Sequence, residues 1–108
     1  MPKEKALQSF RKPPLRLNCA QAVAHGFDRE DLVAKMVSCG RGRAPGGLCG
    51  ALFCAMQLAG EERAEAVAAE FEKTVGGRHC RFFESEHRAG CEESVAVAVE
   101  ILEKTLRA

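Results

Sequence analysis

One hundred and eight residues are enough for one hydrophobic core and too few for two. Apolar residues make up 46% and charged ones 29%, the balance of a globular chain rather than a disordered one. Sixteen basic against fifteen acidic side chains leave a net charge of +1, which excludes the cationic excess of a nucleic-acid binder.

Residues 1–16 read as an N-terminal arm. Leu7 and Phe10 are able to dock as a single helical turn, and Pro13-Pro14 stops any helix from growing. Residues 17–108 then form a single helical domain. Its first helix starts at Asn18, a strong N-cap, with Gln21 placed to complete a capping box and Gly26 to end the element. A second helix is predicted from Asp28, with Glu30 and Asp31 in its first turn and Leu32, Val33, Met36 and Val37 on one face. Residues 39–47 hold too many Gly and Pro for regular structure and read as a loop. The nearly continuous apolar stretch that follows, up to Gly60, is too long for a typical strand. It reads as a helix apolar all round, hence at the centre of the core.

Glu61 and Glu62 open the next helix, whose stripe is Ala64, Val67, Ala68, Phe71 and Val75, and Gly76-Gly77 close it. The last segment carries both periods. Val95, Val97, Val99 and Ile101 alternate as in a strand, whereas Val95, Ala98, Val99, Leu102 and Leu106 form a helical stripe. Its length and its charges, Glu92 and Glu93 in front with Lys104 and Arg107 behind, decide for a helix. The fold expected is all-α, a compact bundle of about five helices around a central apolar one.

The basic N-terminal segment has no apolar run of seven or more and does not read as a secretory signal. The longest apolar stretch is about twelve residues, where a membrane span needs roughly twenty. A cytoplasmic location is therefore expected, with no membrane and no nucleic acid among the partners. In a reducing cytosol, six cysteines point to catalysis, redox cycling or metal binding before permanent disulfides.

Those cysteines are Cys19, Cys39, Cys49, Cys54, Cys80 and Cys91. No C-x-x-C is present, so a thioredoxin-type dithiol is absent, and without C-x-x-C-H there is no covalent haem. On a continuous helix Cys49 and Cys54 point about 140° apart with Cα atoms roughly 8–9 Å from each other. That is too far for a disulfide, which needs less than about 7 Å. Any site must join cysteines from different helices. Cys19, Cys49 and Cys91 each fall near a helix start, where the dipole favours thiolate, and Cys80 follows Gly76-Gly77 in a short turn. Cys54, inside the apolar helix, reads as a buried, unpaired hydrophobe.

The strings Asn18-Cys19-Ala20-Gln21-Ala22-Val23 and Gly46-Gly47-Leu48-Cys49-Gly50-Ala51-Leu52, with the later Cys80 and Cys91, resemble the C_GCAxxG_C_C family. These are small bacterial and archaeal proteins regarded as redox-active. The resemblance spans residues 17–106 and implies Cys19, Cys49, Cys80 and Cys91 as the family positions. A related helical region occurs in split-Soret cytochromes, whose haem-attachment sequences are missing here. The chain departs from the pattern at Cys54, where the family motif has its second Gly, and Cys39 is additional.

Three readings follow. In the first, the protein is a thiol oxidoreductase of an unidentified redox partner, with Cys19, Cys49, Cys80 and Cys91 cycling between thiols and a disulfide. In the second, the same four thiolates hold zinc or an iron–sulfur cluster. In the third, the chain is a helical interaction domain, as in a homodimer, with passive cysteines. Arg41 and Arg43 in the glycine loop are placed to attract an anionic substrate or stabilise a thiolate of Cys39 or Cys49, though a plain solvated loop is the commoner origin of such a pair. His79 beside Cys80 is a candidate base or ligand, set against an ordinary exposed histidine. Phe82 and Phe83 read as a plug for the core.

Overall fold

The structure, a computed structural model, describes residues 2–39, 45–78 and 90–107, and at 45, 90 and 91 the backbone alone. Six α-helices are found among them: α1 (Pro2–Ser9), α2 (Cys19–Gly26), α3 (Glu30–Lys35), α4 (Gly50–Ala59), α5 (Glu61–Val75) and α6 (Gly90–Arg107). Two short 3-10 turns, Met36–Ser38 and Pro45–Gly47, flank the glycine loop. No strand occurs among the described residues, and Phe10 and Leu17 form an isolated bridge. The fold is all-α. No described helix is long and apolar enough to cross a membrane.

The central helix is α4, which packs against α2, α5 and α6. Ala51, Leu52, Cys54 and Ala55 are completely buried. Phe71 from α5 and Val95, Val99 and Leu102 from α6 close the core around it. Each such large side chain contributes about 1.5–3 kcal/mol by leaving water.

The seam between α2 and α4 is made of small residues. A Cβ at Gly50 would lie 2.6 Å from the Cys19 sulfur and 3.3 Å from the Ala20 Cβ. One turn further along both helices, the Ala24 amide faces the Cys54 sulfur. Contacts advancing by four residues on both chains mean that α2 and α4 run in the same direction, small side chain against small side chain.

Local chemistry sets most of the boundaries. The Asn18 side chain accepts from the Gln21 amide (2.8 Å) and the Gln21 side chain accepts from the Asn18 amide (3.1 Å), a complete capping box. The Asn18 side-chain amide also donates to the carbonyls of Met36 (3.0 Å) and Val37 (3.2 Å), which ties the turn after α3 to the start of α2. Gly76, in the left-handed region at φ 95°, caps α5 by donating to Glu72 at 2.8 Å.

Four sequence expectations need correction. The N-terminal segment is more than a single turn. Helix α1 has eight residues and packs on α2 and α6, with Ala6 and Phe10 in the common core. Gly26 makes that possible, because a Cβ there would meet the Pro2 carbonyl at 2.6 Å. The second helix begins at Glu30, since Asp28 takes φ 60° and turns the chain first. Val37 is 63% exposed, because the helix tightens to 3-10 geometry at Met36 and rotates the next side chain outward. Leu106 is also exposed, being in the last turn of α6, beyond the packing reach of Leu102.

Replacing Asn18 by Ala should cost about 1–2 kcal/mol, read as a lower urea midpoint with unchanged slope. Asn18→Ser keeps a capping oxygen and loses the two donors to Met36 and Val37, so its midpoint should fall between wild type and Asn18→Ala.

Candidate thiol site

Cys49 is not the first helical residue of α4 but its N-cap. Its backbone is extended (φ −55°, ψ 128°), and Gly46 and Gly47 before it adopt φ 70° and 72°. The Cys49 side chain makes no capping hydrogen bond there, but its sulfur lies near the open start of α4. The amides of Ala51 and Leu52, two of the donors left free at a helix start, face it and favour its thiolate. The Cys49 amide itself donates to the Arg78 carbonyl at 2.8 Å. The Arg78 side chain is in turn held by Glu72 (2.7 Å) and Glu65 (3.0 Å) of α5.

Cys19, first residue of α2, reaches the same sulfur. Its thiol is in hydrogen-bond contact with Cys49, and this is the strongest influence lowering the Cys49 pKa. Burial opposes it, while the hydroxyl of Ser94 on α6, 3.5 Å away, and the two helix-start amides add to it. The balance brings the Cys49 thiol from 9.0 down to about 6. A buried anion is tolerable only when polar groups surround it, and here the Cys19 thiol is the chief of them. Both cysteines are nearly inaccessible, at 3% and 7% exposure.

Cys54 shows the opposite outcome. It is completely buried, and burial pushes its thiol up to about 12, helped by the nearby Cys39 and resisted by the Ala24 amide and Arg29. Its reading as a buried hydrophobe holds, with Cys39 close enough for one charge to act on the other. Cys39 is half-buried and ends the 3-10 turn after α3. Its carbonyl lies 2.8 Å from the point a Cβ at Gly50 would occupy. Gly50 therefore has to be glycine for packing reasons, with Cys19 on one side and the Cys39 backbone on the other.

The structure thus brings Cys19 and Cys49 together. Cys91 lies in the first turn of α6, one helical turn before Ser94, but its side chain is outside the described residues. Cys80, the histidine at 79, Arg41, Arg43, Phe82 and Phe83 are outside them as well. Among the described residues no group of three or more His, Cys, Asp or Glu side chains could hold a metal ion. A four-thiolate centre would have to draw on Cys80 and Cys91.

Ser94 was not anticipated. Its signal is a small polar residue directly before Val95, at the edge of an otherwise apolar stripe, where burial demands a partner. An open groove of about 380 Å³ between α5 and α6, lined by Arg63, Glu70, Ile101 and Lys104, contains no thiol. Its α6 lining begins at Ile101, seven residues beyond Ser94 and roughly 10 Å further along the helix. No protein-family model, curated protein or solved structure matches the chain.

Two outcomes test this geometry. Helix propensity alone would make Gly50→Ala stabilising by about 1 kcal/mol. The contacts at 2.6 and 2.8 Å reverse the sign. Overpacking should cost about 1–3 kcal/mol, and thiolate absorbance should show Cys49 titrating higher. The second concerns pH. Cys49 titrates lower in the folded than in the unfolded chain, so the reduced protein should gain stability from pH 6 to 9 and lose it as pH falls through 6. The slope is at most about 1.4 kcal/mol per pH unit. Cys54 acts oppositely: between pH 9 and about 12 only the unfolded chain releases its proton, and stability declines. Cys49→Ser should flatten the acid limb and Cys54→Ala should reduce the alkaline one, both read from urea midpoints.

Proposed function

We propose that this protein is a thiol–disulfide oxidoreductase whose working pair is Cys19 and Cys49. The observation that carries this reading is the contact between the two thiols, with Cys49 held as thiolate near neutral pH. Two sulfurs already in hydrogen-bond contact need only approach to about 2.05 Å to form a disulfide. An attacking thiol is most effective when its pKa is near ambient pH, which is where Cys49 stands.

The exchange runs in two steps. Once local opening at the start of α4 uncovers it, the Cys49 thiolate attacks one sulfur of an incoming disulfide, whose S–S bond breaks as one partner thiolate leaves. Cys19 then attacks the Cys49 sulfur of the mixed disulfide, giving its proton to the second departing thiolate. Two electrons pass to the partner disulfide, and the protein keeps a Cys19–Cys49 disulfide. The donors around Cys49 have a second effect: they stabilise the reduced form and make that disulfide the more oxidising. A cytoplasmic setting and a prokaryotic source accord with the resemblance of the cysteine pattern and belong to this proposal. So does the assignment of Cys80 and Cys91 as a further pair or as ligands.

Reduced protein exposed to a small disulfide and mapped by mass spectrometry should show a Cys19–Cys49 bridge. Cys49→Ser should abolish it and leave the melting profile cooperative. If Cys19 and Cys49 both remain thiols at full oxidation of the buffer couple, the reading fails. Stoichiometric zinc or iron in protein purified without chelator would transfer the same thiolates to a metal-binding role.

A further inference from the structure

The buried position of the proposed pair restricts what oxidises it. Cys49 and Cys19 keep 3% and 7% of their surface. That is contact for a molecule the size of water and not for a disulfide, which has to wait until the start of α4 opens. The immediate surroundings of the Cys49 sulfur are nevertheless polar. The Cys19 thiol is in hydrogen-bond contact with it, the Ala51 and Leu52 amides face it, and the Ser94 hydroxyl is 3.5 Å away. Ser94 is itself 1% exposed, so a buried hydroxyl meets a buried sulfur. These neighbours keep Cys49 as thiolate at neutral pH, whereas Cys54 further along α4 stays protonated. A nucleophilic sulfur with a second thiol in contact suits the two halves of peroxide reduction. One sulfur takes an oxygen, and the other expels it.

Resting on the redox reading above, we infer that the oxidant this site takes is hydrogen peroxide, with Cys49 as the attacking sulfur and Cys19 as the resolving one. The Cys49 thiolate attacks one oxygen, the O–O bond breaks, and hydroxide leaves and takes a proton from solvent as water. Cys49 is then a sulfenic acid. The Ser94 hydroxyl is a donor within reach of the reacting sulfur, and it offsets the charge that gathers on the leaving oxygen. Cys19 next attacks the sulfenic sulfur, its proton joins the departing hydroxyl, and a second water forms. Two thiols and one peroxide become one disulfide and two waters, the sulfurs passing two electrons to the oxygens. An external thiol returns the pair to its reduced form by the exchange described above, run in reverse while the start of α4 is open.

Reduced full-length protein mixed with hydrogen peroxide or with 2-hydroxyethyl disulfide, quenched in acid and mapped by mass spectrometry, tests this. With peroxide the Cys19–Cys49 bridge should form at a rate that sub-denaturing urea leaves within about twofold, because no opening is required. With the disulfide the rate should climb about tenfold or more over the same urea range, following the open fraction. In Cys19→Ser at pH 9, excess peroxide should carry Cys49 on to sulfinic acid, a gain of two oxygens, with Cys54 unoxidised. No bridge with peroxide, or a peroxide rate that climbs with urea as steeply as the disulfide rate, overturns the inference and leaves disulfide exchange as the reaction of the pair. So does a Cys19→Ser chain in which Cys49 gains no oxygen, or gains it no faster than Cys54. Failure of both oxidants to form the bridge overturns the underlying redox reading instead.

Discussion

The close approach of α2 and α4 determines everything around it. Two helices can come this near only where neither presents a large side chain, and Ala20, Ala24, Gly50 and Cys54 meet that condition over two turns. The consequence is chemical as much as structural. With a longer residue at 50, the start of α4 would stand off from the start of α2, and the sulfurs of Cys19 and Cys49 would lose contact. The same spacing that fills the core also aligns two helix beginnings side by side, so that their partial positive charges add at one place.

Four residues separate Cys49 from Cys54, and their thiols diverge from about 6 to about 12. Both are buried, so burial does not explain the difference. Position along the helix does. At the N-cap the backbone amides have no carbonyl to bond and turn toward the sulfur, whereas within the helix almost every amide is already committed. Cys49 also has a thiol and a hydroxyl in reach, from α2 and α6. Cys54 finds one amide and a neighbouring thiol whose charge works against its own. The start and the interior of one helix thus favour opposite protonation states of the same side chain.

Much of this was legible in the residues because it is local. The Asn18–Gln21 box, the dipole-matched charges of α6 and the unbroken apolar run of α4 each lie within a few positions, and each predicts its helix. What escaped is what needs a third dimension. Gly26 reads as a helix stop, and only the fold shows that it also admits α1. Met36 and Val37 look alike in sequence, but the switch to 3-10 geometry buries one and exposes the other. The helix-start rule located Cys19 and Cys49, whereas Ser94 forty-five residues away carries no sequence mark of its partner. Gly50 reads as part of a motif, and its steric necessity appears only when Cys39 and Cys19 are seen on either side.

The bond from the Cys49 amide to the Arg78 carbonyl spans twenty-nine positions and joins the beginning of α4 to the segment just after α5. It therefore closes the α4–α5 hairpin into a ring, with Arg78 held to α5 by Glu65 and Glu72. A ring of this kind opens as a cooperative unit rather than by fraying from one end. Breathing of the hairpin would uncover Cys49 and Cys54 in a single event, two thiols that the closed state keeps at opposite ends of the titration scale. In the opened hairpin the chemical distinction between them disappears, because it resides in the packing and not in the residues.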